Sequence, residues 1–169
     1  MASFDTMVPF RFALAAIVAG FAGACSSERV VAPTVLPVFA ELRNAPEIAS
    51  LDGVAVRLET FAWRNFQPIS PPDGKPLIVV VRIKSMDGTV IPSTLKADSL
   101  WVVNGEIAWA ASVREEQPRG PDWSFFEAVA RDGPKWGPGV TVDVVVRLRG
   151  ASGQRALVQV RGQVVGRTE

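Results

Sequence analysis

The chain has 169 residues, enough for one domain and hardly for two, and its 18 basic and 17 acidic side chains leave a net charge of +1, without the basic bias of a nucleic-acid binder. Histidine is absent, which excludes His general bases, Ser-His-Asp and Cys-His arrangements, and His-containing metal sites. A single cysteine allows neither an internal disulfide nor a Cys-x-x-Cys metal site.

Phe10 to Phe21 is apolar apart from Arg11 and rich in Ala. It is too short to span a bilayer comfortably and has the length of a secretory h-region. Asp5 is out of place in an n-region, and a start at Met7 would leave Met-Val-Pro-Phe-Arg there instead. The h-region ends in Ala22-Gly23-Ala24-Cys25-Ser26-Ser27. These residues resemble the lipobox of bacterial lipoprotein signal peptides, although Ala22 stands where Leu is commoner. The resemblance implies that residues 1–24 are removed and that Cys25 carries a thioether-linked diacylglycerol and an acylated amine. Several acyl chains, at about 0.8 kcal/mol per buried methylene, anchor stably where one is marginal. Ser26, where an Asp would favour retention, implies the outer membrane of a diderm bacterium, facing the periplasm or the surface. The other reading is ordinary signal-peptidase cleavage beside an incidental thiol.

Residues 25–50 contain Pro33, Pro37 and Pro46 and no sustained period, and are expected to be a tether. Val35 to Leu42 has the composition of a short edge strand or helical turn, with irregular structure preferred. Removal of the leader leaves about 145 residues, which bury roughly two thirds of their unfolded surface and hold a real core.

From Leu51 the pattern is strands and turns. Gly53–Trp63 alternates, with Val54, Val56 and Leu58 on one face and Arg57 and Glu59 on the other. After a Pro-rich loop, Pro76–Ser85 places Leu77, Val79, Val81 and Ile83 on one face. Ile78 and Val80 make its first half apolar on both sides, which marks a central strand. Leu100–Val103 and Ile107–Ala111 flank Asn104-Gly105, the signal for a type I′ hairpin. Trp123–Ala130 is the fifth strand. Val140–Arg149 alternates most clearly of all, with Val140, Val142, Val144, Val146 and Leu148 on the buried side. Gln154–Val165 is the seventh, and Arg147, Arg149, Arg155 and Arg161 on the last two strands are expected to stay solvated.

Seven strands, short turns and no long amphipathic helix predict an all-β domain over residues 51–169. The pattern resembles a single antiparallel seven-stranded immunoglobulin-like or fibronectin-III-like β-sandwich. Trp101 resembles the core tryptophan of such domains. A small barrel or a transthyretin-like sandwich is the structural alternative.

If successive strands run antiparallel, the loops 64–75 and 131–139 share one pole with the Asn104-Gly105 turn. That pole gathers Trp63, Arg64, Phe66, Lys135 and Trp136. Aromatic and basic groups on rigid loops suit a recognition surface. The structural alternative is that Trp63 and Phe66 seal the core and Trp136 folds beneath its own loop. Asp52, Asp73, Asp87 and Asp132 each precede Gly, as turn residues do. No motif indicates a metal, a cofactor, a phosphate site or a catalytic residue. The expected function is that of a membrane-anchored, non-catalytic envelope lipoprotein that binds or assembles with a protein partner. A carbohydrate-binding module is the alternative, and an open edge at Gly53–Trp63 would permit strand addition.

Overall fold

The computed structural model describes residues 37–168. A short helix, α1 (Phe39–Arg43), is followed by nine strands: β1 (Ile48–Leu51), β2 (Val54–Asn65), β3 (Leu77–Ser85), β4 (Lys96–Asn104), β5 (Ile107–Ser112), β6 (Phe125–Gly133), β7 (Thr141–Arg149), β8 (Arg155–Val164) and β9 (Gly166–Thr168). The seven expected strands are β2 to β8. Two more flank them, so the expected count of seven becomes nine among the described residues. β1 lies within the segment expected to be a tether, and β9 is too short to show a period.

Two sheets result. The first runs β1-β2-β3-β6, with β9 also on β2, and the second runs β5-β4-β7-β8. Pairing is antiparallel except between β2 and β9. β1 and β9 divide one edge of β2: Val54–Arg57 pairs with β1 and Trp63–Asn65 with β9. Hence both ends of the edge considered for strand addition are occupied, and residues 58–62 lie between them.

The sheets share one core, because the alternating apolar residues of each face the other. Val56, Leu58, Val79, Val81, Ile83 and Phe126 meet Leu100, Val102, Val144, Val146, Leu148 and Val158. Each fully buried Val or Leu contributes about 1.5–3 kcal/mol relative to exposure.

A second cluster lies on the opposite side of β4 and β7. Trp101, Val103 and Val145 are buried there against Leu42 and Ala45, with Phe39 and Leu157 beside them. Trp101 is therefore not in the core between the sheets. Its neighbours Leu100 and Val102 point inward, so the pleat turns it outward, where α1 covers it. A five-residue helix cannot hold itself together in water; packing and hydrogen bonds fix this one. The Gln159 N–H donates to the Pro46 carbonyl at 2.8 Å, and the Gln159 side-chain amide donates to the Ala45 carbonyl.

Two local expectations change. The hairpin forms, but its turn residues are Gly105-Glu106 and only Gly105 has positive φ (59°), as in a type II′ turn. Arg147, expected in solvent, is buried: its guanidinium donates to Asp98 Oδ1 and Ser99 Oγ, both at 2.7 Å, above the Trp101 ring. Arg149, Arg155 and Arg161 are exposed.

Candidate functional site

β2 alternates, so Ala62 and Arg64 face inward while Phe61, Trp63 and Asn65 face out. Arg64 is thus buried at the end of the core. Its guanidinium donates to the carbonyls of Lys75 (3.0 Å), Lys135 (3.1 Å), Trp136 (3.5 Å) and Asp73. These carbonyls belong to the loops 66–76 and 134–140, which one cation therefore ties together. The guanidinium groups of Arg64 (5.0 Å) and Arg167 (4.3 Å) both lie over the Phe66 ring. That ring rests on Gly74, where a Cβ would sit 2.6 Å from ring carbons and where φ is +75°. Outside the clamp, Lys135 Nζ meets Asp73 Oδ2 at 2.6 Å, and that hydrogen bond holds the Asp73 carboxyl below its usual range.

The structure therefore brings Arg64, Phe66, Lys135 and Trp136 to one pole. Lys135 is exposed, whereas Trp136 is half-buried against the core. Trp63 belongs elsewhere, on the outer face of the first sheet.

That face can be read from the register. Phe61 lies opposite Val80, which lies opposite Val129; Trp63 lies opposite Ile78. Cross-strand neighbours on one face are close enough for their side chains to interact. The next row is charged: Glu59, Arg82 and Glu127. Arg82 donates to Glu127 Oε1 at 3.0 and 2.8 Å, and Lys84 donates to Glu59 at 3.2 Å. Phe61 is 52% exposed, and Trp63, Ile78, Val80 and Val129 are partly exposed. Toward β6 the face deepens into a cleft of about 330 Å³ lined by Val80, Arg82, Trp123, Phe125, Val129 and Arg131, among others. Trp123 stacks on Phe125 at 5.2 Å and 14°, and Arg82 covers Phe125 at 4.8 Å. At the rim Arg131 donates to both oxygens of Glu116, at 3.0 and 2.9 Å. This hydrogen bond holds Glu116 below its usual pKa and raises that of Arg131.

The outer faces of the two sheets are consequently unlike. α1 and the turn after it cover the second sheet with Phe39, Leu42 and Ala45, while no described helix packs over Phe61, Trp63, Ile78 and Val80 on the first. The sequence did carry a signal for this. Apolar residues on both sides of β3 marked it as central, which it is, but its second apolar side is open. No such signal marks Phe61 and Val129: Val129 stands singly between outward Glu127 and Arg131, and Phe61 forms only a two-residue apolar step with Trp63 between Glu59 and Asn65.

Glu59, Glu115, Glu116 and Glu127 are each paired with Arg or Lys. Among the described residues no group of three His, Cys, Asp or Glu side chains could hold a metal ion. No helix among them is long and apolar enough to cross a membrane. Cys25 lies outside the described residues. Comparison with protein-family models, curated proteins and solved structures gave no match.

Proposed function

We propose that this chain is a non-catalytic binding module of the bacterial cell envelope, anchored by lipid on Cys25, which docks a protein partner on the open face of its first sheet. The observation that carries the reading is the asymmetry just described: one outer face is sealed by a helix and the other is left apolar and uncovered. Contiguous apolar surface with a polar rim marks an interaction site. Phe61, Trp63, Ile78, Val80 and Val129 form its centre, and Arg57, Arg82, Lys84 and Arg131 supply a basic rim interleaved with Glu59, Glu116 and Glu127. Aromatic and Arg anchors at the centre of such a patch dominate protein–protein binding.

A sugar ligand would need free ring faces, and several here are occupied. Phe125 is covered by Trp123 and Arg82, and Phe66 by two guanidinium groups. This favours protein over carbohydrate. The lipid anchor rests on the lipobox resemblance and accounts for the envelope location.

The domain is immunoglobulin-like in this reading. The order β2-β3-β6 beside β5-β4-β7-β8 follows strands A-B-E beside C′-C-F-G of such sandwiches. β1, β9 and the outward Trp101 are departures from that plan.

The test places a photo-cross-linker at Phe61 or Val129 in the native envelope, with Arg155 as control. Capture of one and the same protein from both face positions and not from Arg155, lost on Trp63→Ala, supports the reading. Equal capture from Arg155 rejects the face. For the anchor, Cys25→Ser removes lipid labelling and membrane retention; unchanged fractionation rejects it.

A further inference from the structure

β5 ends the second sheet, with no described strand beyond it. Its sequence, Ile-Ala-Trp-Ala-Ala-Ser, contains no charge and no proline. Open edges template pairing with other chains, and proteins usually guard them with charges, prolines, bulges or cover. The other edges here are guarded. The first sheet ends in β1 and β9, which flank β2 and are only four and three residues long, and very short edge strands are poor templates. On β6 the Val129 N–H donates to the Arg114 carbonyl at 3.2 Å. β8 carries Arg155 and Arg161, Gly162 at φ 68°, and a register shift opposite Val142 and Val144.

The hairpin register shows which groups of β5 face outward. The Val113 N–H donates to the Asp98 carbonyl at 3.3 Å. Hydrogen-bonded and non-hydrogen-bonded pairs alternate along an antiparallel ladder. Ile107, Trp109 and Ala111 therefore bond to β4, while the N–H and C=O groups of Ala108, Ala110 and Ser112 aim outward. All three residues are exposed. No hydrogen bond among the described residues involves these outward backbone groups.

We propose that β5 pairs with β5 of a second copy, antiparallel about a two-fold axis at Ala110, so that the second sheet continues across two chains. An axis relating two adjacent antiparallel strands of one sheet stands perpendicular to it. It preserves faces, so a residue pairs only with one from the same face. Centred on Ala110, this register sets Ala110 opposite Ala110 of the second copy and Ala108 opposite Ser112. Each pair exchanges N–H···O bonds in both directions, which engages every outward group of the strand. The Trp109 side chain stands beside the small Ala111. Glu106, one oxygen of which already accepts from Arg43 at 2.7 Å, comes opposite Arg114 twice by symmetry, and both side chains are exposed. A two-residue shift one way opposes two Trp109 side chains and sets Glu106 against Ser112. A shift the other way requires the Arg114 carbonyl, which Val129 already uses. Charge and hydrogen bonding thus select the same register. The contact is isologous and narrow, in the class below about 1,200 Å² that associates weakly.

The test is sedimentation velocity of the full chain carrying Cys25→Ser, in detergent, at concentrations up to ~1 mM. A concentration-dependent dimer is expected. Ala110→Lys, which opposes two ammonium groups at the axis on an exposed site, weakens it at least about tenfold. Oxidation of Ala110→Cys joins the copies by a disulfide, because a hydrogen-bonded pair sets the Cα atoms about 5.5 Å apart. Ser112→Cys, which faces Ala108, does not. A monomer throughout overturns the proposal. So does a dimer unaffected by Ala110→Lys, or cross-linking as ready at Ser112→Cys as at Ala110→Cys; the cross-linking pair decides the matter if Ala110→Lys folds poorly.

Discussion

The buried guanidinium of Arg64 and the main-chain carbonyl of Lys135 meet at 3.1 Å. This bond joins the end of β2 to a loop that follows β6, and the same cation holds the loop that follows β2. The rigidity of the pole therefore comes from inside it. Arg64→Ala removes the donor from several carbonyls at once and should destabilise the fold by about 3 kcal/mol, since each orphaned buried acceptor carries a desolvation penalty. Arg64→Lys should recover little, because an ammonium lacks the planar fork that reaches two loops. Lys135→Ala removes only an exposed ion pair and should leave stability nearly unchanged. Urea midpoints of the three variants check this ordering; equal midpoints for Arg64→Ala and Lys135→Ala would show that the clamp is idle.

Arg119 plays a similar part at the opposite end. It donates to both oxygens of Glu115 at 2.7 Å, to the Pro92 carbonyl at 2.7 Å and to the Leu95 carbonyl at 2.5 Å, and it covers the Phe126 ring at 3.5 Å. Burial raises the Glu115 pKa, but the hydrogen bonds and charges of Arg119 and Lys96 outweigh it, so the net direction is downward. Arg119→Ala leaves a partly buried carboxylate and two carbonyls without their donor. A loss of about 3 kcal/mol is expected, by the rule that breaking one partner of a buried pair costs more than the pair contributes. Hydrogen exchange should show the loosening confined to residues 113–123 and 91–95. Uniform acceleration across the sheets would argue against a local clamp.

Much of this was legible because strand alternation is local. β2, β3 and β7 each declare their buried face within ten or so residues, and the pleat does the rest. The clamps were not legible, because what buries Arg64, Arg119 or Arg147 is a set of partners distant in sequence. Arg64 reads as one more outward charge until the phase of β2 sets it inward. β1 was hidden for another reason, and α1 was only half seen: five- and four-residue elements show no period, and although Val35–Leu42 had the composition of a helical turn or short edge strand, Pro37 and Pro46 made the segment read as a spacer. For the candidate site, the sequence placed Phe66, Lys135 and Trp136 at one pole with Arg64. It could not show that Arg64 lies beneath that pole, or that Trp63 joins Phe61 and Val80 on the sheet face. Both follow from strand phase and pairing.

Asp87 gives a pH dependence with a definite sign. It accepts from the Ser85 hydroxyl at 2.8 Å and from the Thr89 N–H at 3.0 Å. The backbone bond from Thr89, then the Ser85 hydroxyl, lower its pKa from 3.8 to about 2. A carboxyl whose folded pKa lies below its unfolded value stabilises fully above the unfolded pKa, and that contribution is lost as pH falls through the folded one. Wild type should therefore melt above Asp87→Ala at pH 7. The gap should narrow below about pH 4 and close near pH 2. A gap that stays constant between pH 7 and pH 2 would show that Asp87 acts by shape and not by charge.

The most direct contrast lies between the two outer faces. Leu42 of α1 is 3% exposed over Trp101, which is 4% exposed, whereas Phe61 on the open face is 52% exposed. If residues 37–47 were only a spacer, Leu42→Ala would be silent. As a lid on the second sheet it should cost about 2–3 kcal/mol, and Trp101→Ala about 3–5, because each leaves a cavity in a packed cluster. Phe61→Thr replaces one good strand former by another on an exposed strand face and should stay within about 0.5 kcal/mol of wild type. Denaturation of the three variants separates a side chain that holds the fold from one that the fold holds out. Should Phe61→Thr prove as damaging as Leu42→Ala, the first sheet's outer face would be part of the core and not a docking surface.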